Sequence, residues 1–144
     1  MRKRTKAREF ALQLLYQREF GDGQNGDTRE QDFWREVDTQ GMQKKDLDEI
    51  KSYANALVQS VLEHKDEIDR KIESSAEHWR MARMALVDRN ILRLGVCEIL
   101  FNKEIPLKVA INEAIELAKL FGDADSSKFV NGILDKIAKD SGKT

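Results

Sequence analysis

Cysteine and proline occur once each in these 144 residues. Cys97 has no partner for an internal disulfide, so nothing points to an oxidising compartment, and the chain reads as cytoplasmic. No stretch reaches the roughly 18 to 20 uninterrupted apolar residues of a membrane span, and the longest candidate, Ile91 to Phe101, is broken by Arg93 and Glu98. A transmembrane role is therefore excluded. The apolar stretch behind the basic start, Phe10 to Tyr16, is short and interrupted by Gln13, which argues against a secretory leader.

Catalytic and metal-binding patterns are missing as well. His64 and His78 have no cysteine nearby, and neither HExxH nor CxxC occurs, so neither a metal site nor a cofactor is expected. Phosphate-binding and nucleophile motifs of the GxxxxGK[ST], GxGxxG and GxSxG types are lacking too. Cys97 lies amid apolar residues with no adjacent base, as befits a small core side chain. The acid pairs Asp48–Glu49 and Asp66–Glu67 are adjacent in sequence, so on a helix they diverge rather than converge on a substrate. The chain is not expected to be an enzyme.

What is present is an uneven charge. The net charge of -1 hides a start containing Arg2, Lys3, Arg4, Lys6 and Arg8 and no acid before Glu9, while the rest of the chain is acidic overall. Such an arm on an anionic body reads as a local footprint for phosphates. Ala7, Phe10, Ala11, Leu14 and Leu15 follow helical spacing from about Thr5, a suitable N-cap. Cations at a helix start oppose the helix dipole by up to about 1 kcal/mol each when exposed, whereas a bound phosphate backbone would make the same site attractive.

The remaining pattern is helices divided by short turns. Gly21 to Asp27 reads as a mobile loop. A weakly amphipathic stretch follows around Phe33, Trp34 and Val37, then a long helix capped by Asp46 and a short one capped by Asp66 carrying Ile68 and Ile72. A composition shift places a boundary between Ile72 and Trp79, giving subdomains 1–75 and 76–144 within one compact unit. The second begins with an almost wholly apolar helix from Met84 to Phe101. The next starts at Pro106, buries a stripe including Val109, Ala114, Ala118 and Phe121, and ends at Gly122. The last is capped by Asp125 or Ser126. Gly95 and Gly132, inside helices, suggest close helix crossings, because mid-helix glycine otherwise costs about 0.5–1 kcal/mol. Arg93 is a plausible partner for Glu113. The fold class is all-α.

Four blocks resemble the NusB family: Arg4-Thr5-Lys6-Ala7-Arg8-Glu9-Phe10-Ala11; Val87-Asp88-Arg89-Asn90-Ile91-Leu92-Arg93-Leu94; Ile105-Pro106-Leu107-Lys108-Val109-Ala110-Ile111-Asn112-Glu113-Ala114; and Asp125-Ser126-Ser127-Lys128-Phe129-Val130-Asn131-Gly132. The resemblance implies two three-helix bundles packed roughly perpendicular. It also implies a transcription antitermination factor that binds single-stranded boxA RNA of ribosomal RNA leader transcripts with NusE, a small-subunit ribosomal protein. Together they would support RNA polymerase in the elongation complex.

Carried onto this chain, the RNA surface comprises Arg2, Lys3, Arg4, Lys6, Arg8, Asp125, Lys128, Phe129 and Asn131, and the protein partner meets Tyr16 and Asp88. In physical terms the arm supplies phosphate contacts, while Phe129 and Asn131 stack on or hydrogen-bond to unpaired bases. Phe129 also fits the inward stripe of its helix, and Asp125 a capping role. A homodimer is compatible with an exposed apolar face. The competing function is a helical protein-interaction adaptor whose basic arm meets an acidic partner instead of RNA.

Overall fold

The computed structural model describes residues 2–19, 26–37, 39–77 and 80–142. Most of the Gly21 to Asp27 stretch, together with His78 and Trp79, lies outside them. Among the described residues all regular structure is helical: α1 Lys3–Glu19, α2 Gly26–Glu36, α3 Lys44–Glu63, α4 Lys65–Ser75, α5 Leu86–Phe101, α6 Leu107–Phe121 and α7 Ser126–Ser141, with one 3-10 turn at Met81–Arg83. No helix among them is long and apolar enough to cross a membrane.

The chain divides into two compact units, Met1–Val58 and Gln59–Thr144. The division falls within α3, earlier than the composition shift between Ile72 and Trp79. The reason is packing: α4 buries Ile68 and Ile72 and makes its contacts with α5 and α7. Side-chain burial outweighs the change in surface charge.

In the first unit, α1 buries Ala7, Phe10, Ala11, Leu14 and Leu15. Phe10 meets Phe33 and Trp34 edge to face at centroid distances of 5.9 and 5.4 Å, arrangements that contribute about 0.5–1.5 kcal/mol beyond area burial. The Trp34 indole N–H donates to Asn55 Oδ1 at 2.9 Å, so its polar edge is satisfied. The helix starts differ slightly from expectation. α1 begins at Lys3, with the Lys6 N–H donating to the Arg2 carbonyl, and Thr5 sits inside the first turn. Asp46 and Asp66 likewise lie within the first turns of α3 and α4, where the carboxylates still complement the helix dipole.

The second unit is built on α5, which is buried from Asn90 through Ile99. Gly95 explains how α6 and α7 reach it. A Cβ there would stand 2.9 Å from Leu134 Cδ1 and 3.4 Å from the Ala114 Cβ. α6 buries Ala110, Ala114, Leu117 and Ala118, small side chains that allow that approach, and Val109 and Phe121 are exposed rather than inward-facing. Gly122 closes α6 at φ -93°; it is glycine because a Cβ would collide with Ser126 at 2.4 Å. Gly132 has nothing within 4 Å, so no helix crossing accounts for it.

Polar groups on the buried helix are organised by α4. Arg93 Nε and Nη2 donate to Asp69 Oδ1 and Oδ2 at 2.9 and 3.1 Å, and its Nη1 donates to Asn90 Oδ1 at 2.9 Å. A planar guanidinium clamped by a carboxylate fork is the strong form of an ion pair. The Asp69 carboxylate on α4 thus meets Arg93 with fork geometry. His64 is structural: its Nδ1–H donates to the Ser60 carbonyl at 2.9 Å and its ring stacks on Phe101 at 3.9 Å.

Candidate nucleic-acid interface

The five cations at the start of α1 do not behave alike. Arg2 and Arg4 are exposed and Lys6 is half-buried. Lys3 Nζ pairs with Glu49 at 2.6 Å and Asp46 at 3.2 Å, and these hydrogen bonds, Glu49 first, hold its pKa above the ordinary lysine value. Lys3 therefore fastens the opening of α1 to the acidic first turns of α3. Arg8 is 3% exposed and so packed into the fold.

Helical spacing explains the arrangement. Residues four apart share a face, so Arg4 and Arg8 both meet Tyr53 of α3, with guanidinium carbons 5.1 and 5.7 Å from the ring centroid. Cation–π contacts of this kind contribute about 0.5–2 kcal/mol each, more as water is excluded. Lys6 lies 5.0 Å from the centroid of Phe10. Beside this row, Lys3, Arg4, Glu49, Ser52 and Tyr53 line a cavity of about 590 Å³. Tyr53 belongs to the site but was hidden in the sequence, where it fits the inward stripe of its helix.

The other expected residues fall into two groups. Lys128 and Asn131 are exposed on α7, and with Gly132 and Asp135 they form an i, i+3, i+4, i+7 stripe facing solvent. Phe129 is half-buried. It lines a cavity of about 320 Å³ with Arg83, Met84, Asp88, Asp123 and Asp125. Phe129 and Asp125, implied to meet RNA, thus share one recess with Asp88, implied to meet protein. Tyr16 stands on α1, 42% exposed.

Local chemistry around the recess is specific. Asp125 occupies the N-cap position of α7 without a side-chain cap bond. Instead Asp123 Oδ1 accepts from the Asp125 N–H at 2.9 Å and from the Ser126 hydroxyl at 3.2 Å, while Ser126 Oγ accepts from the Asp123 N–H at 3.0 Å. Asp88, in the first turn of α5, is only 9% exposed, and its Oδ1 has no hydrogen-bond partner among the described residues. Among the described residues no cluster suits a metal ion.

Comparison with known proteins matches residues 5–139 to the NusB family. The transcription antitermination protein NusB of Myxococcus xanthus is 45% identical over 135 residues, covering 94% of each chain. That of Thermodesulfovibrio yellowstonii is 40% identical over 140 residues, covering 96% of this chain and 93% of the relative. The solved structure of T. maritima NusB superposes with TM-score 0.79 at 40% identity, covering 94% of this chain and 90% of that one. A crystal structure of the antitermination factors NusB and NusE in complex with dsRNA gives TM-score 0.77 at 31% identity, covering 97% and 98%.

Proposed function

The chain belongs to the NusB family of transcription antitermination proteins, and on that premise we propose that it is a cytoplasmic RNA-binding factor for boxA RNA of ribosomal RNA leader transcripts. It acts with NusE, the small-subunit ribosomal protein, in the RNA polymerase elongation complex. It is not an enzyme. The observation that carries the RNA reading is the opening of α1, where Arg4 and Arg8 are aligned along Tyr53 while Arg2 and Arg4 face solvent.

This arrangement divides the work among the cations. Arg2, Arg4 and Lys6 meet phosphates, supplying the salt-sensitive part of the affinity. Lys3 and Arg8 act by position, one fixing the helix start to α3 and the other supporting the ring against which Arg4 rests. Lys128 and Asn131 add a cation and an amide on the exposed face of α7, the amide providing base discrimination.

Titrating a boxA-type RNA over a range of salt concentrations tests the reading. The double variant R4A/K6A should lower affinity and reduce the slope of log affinity against log salt by about 0.7 for each lost phosphate contact. Asn131→Ala should narrow the preference for boxA over a scrambled RNA of equal length. An unchanged affinity and salt slope in R4A/K6A would defeat the assignment of α1.

A further inference from the structure

We propose that Asp46 and Glu49 form an internal counter-charge that withholds Lys3 from phosphate and so limits how tightly α1 binds RNA by charge alone, an inference that rests on the reading that α1 meets RNA. The ion pair carries the argument. Lys3 Nζ lies 2.6 Å from Glu49 Oε2 and 3.2 Å from Asp46 Oδ1, beside the exposed Arg2 and Arg4. A phosphate reaching Lys3 has to displace two carboxylates already in charge-assisted contact with it.

The surroundings extend the restraint to the next cation. Asp48 and Glu49 line the cavity of about 590 Å³ together with Lys3 and Arg4, so a strand entering there meets an anion beside each cation. Arg8 is packed into the fold and Lys3 is held, which leaves Arg2, Arg4 and Lys6 to meet phosphates. Fastening α1 does not by itself call for two acids on Lys3, because Arg4 and Arg8 are already seated against Tyr53. Exposed ion pairs also add little to stability, whereas fixed charge at the mouth of a binding surface acts on every approaching polyanion. The helix dipole favours acids at the start of α3, so the counter-charge is tolerated where it stands. Affinity for arbitrary RNA is thereby held down, and binding depends the more on contacts that read bases.

Titrations of the full chain with single-stranded boxA RNA and a scrambled RNA of equal length, over a range of salt, test this in a mutant cycle. The variant D46N/E49Q should bind both RNAs about three- to fivefold more tightly, and its slope of log affinity against log salt should steepen by about 0.7, the value of one added phosphate contact on a single strand. The gain should be alike for the two RNAs, since a phosphate contact carries no sequence information. Glu49→Gln alone should give part of it. Adding Lys3→Ala should abolish the gain and the steeper slope in D46N/E49Q, while in wild type it should lower the slope by less than half as much. Asp48→Asn removes a nearby charge that does not hold Lys3 and should give a smaller gain than Glu49→Gln. Thermal melts confirm that each variant is folded. Unchanged or weaker RNA binding by folded D46N/E49Q would overturn the proposal and leave the pair a fastening only. An equal gain from Asp48→Asn, or an equal loss of slope from Lys3→Ala in both backgrounds, would overturn it too, with the functional reading intact. Equal affinity of wild type for boxA and scrambled RNA, with the cycle as expected, would defeat the boxA reading and support the counter-charge.

Discussion

Among the described residues each unit buries one arginine, and the two are handled differently. Arg8 is 3% exposed and Arg93 6%. Arg8 lies over Tyr53 alongside the exposed Arg4, so its charge supports a solvent-facing row. Arg93 is clamped by both oxygens of Asp69 and by Asn90, an arrangement that turns the charge inward to join α4 to α5. Burial alone therefore does not distinguish a structural cation from one that supports a binding surface. The distinction comes from what the guanidinium faces.

Removing Asp69 breaks the inward half of that contrast and should produce the largest effect. Asp69→Ala leaves the Arg93 guanidinium buried without its fork, at a cost of about 2–3 kcal/mol once the partial exposure of Asp69 is allowed for. A lowered urea midpoint measures it. A loss below about 0.5 kcal/mol, the range of ordinary surface substitutions, would mean that the pair is not a structural clamp. Tyr53→Leu on the other unit should reduce RNA affinity by more than it reduces stability.

Cys97 sharpens the picture of the interior. Burial pushes its thiol pKa up to about 11, while its S–H donates to Ser60 Oγ at 3.2 Å. An unfolded thiol releases its proton near its ordinary value of 9.0. Between these values the folded state holds more protons, so the contribution to stability is complete below about 9 and falls as pH rises to about 11. The difference between wild type and Cys97→Ala should follow that window, by on the order of 1–2 kcal/mol. A pH-independent difference would show that the thiol titrates alike in both states.

Helix periodicity made the fold legible because burial follows it closely on α1 and α7, while α5 is apolar and buried almost all round. The same periodicity concealed Tyr53 and Asp69. A tyrosine on an apolar stripe and an acid on a charged helix give no sign of which distant side chain they meet, since that depends on how helices cross. The basic start was visible as charge, but its division among Lys3, Arg4 and Arg8 followed only from contacts with α3. The burial of Asp88 was not legible because sequence does not reveal which turn of a helix the α6–α7 corner covers. On α6, the broad set of apolar positions concealed that alanines form the close-packed face, leaving Val109 and Phe121 outside.

Gly95 and Gly132 set interior and surface against each other within the second unit. Gly95→Ala gains helix propensity but drives a Cβ to 2.9 Å from Leu134 Cδ1, and overpacking a buried crossing should dominate, with a net loss of about 1 kcal/mol. Gly132→Ala meets open space and should raise stability by about 0.5–1 kcal/mol. An exposed mid-helix glycine that weakens its own helix is explained when a bound strand comes close to the backbone there, and its neighbours on that stripe are Lys128 and Asn131. The same alanine should therefore lower boxA affinity severalfold while stabilising the free protein. Thermal melts and RNA titration on one preparation separate the effects. A variant that gains stability with undiminished RNA affinity would place the transcript elsewhere than against this face of α7.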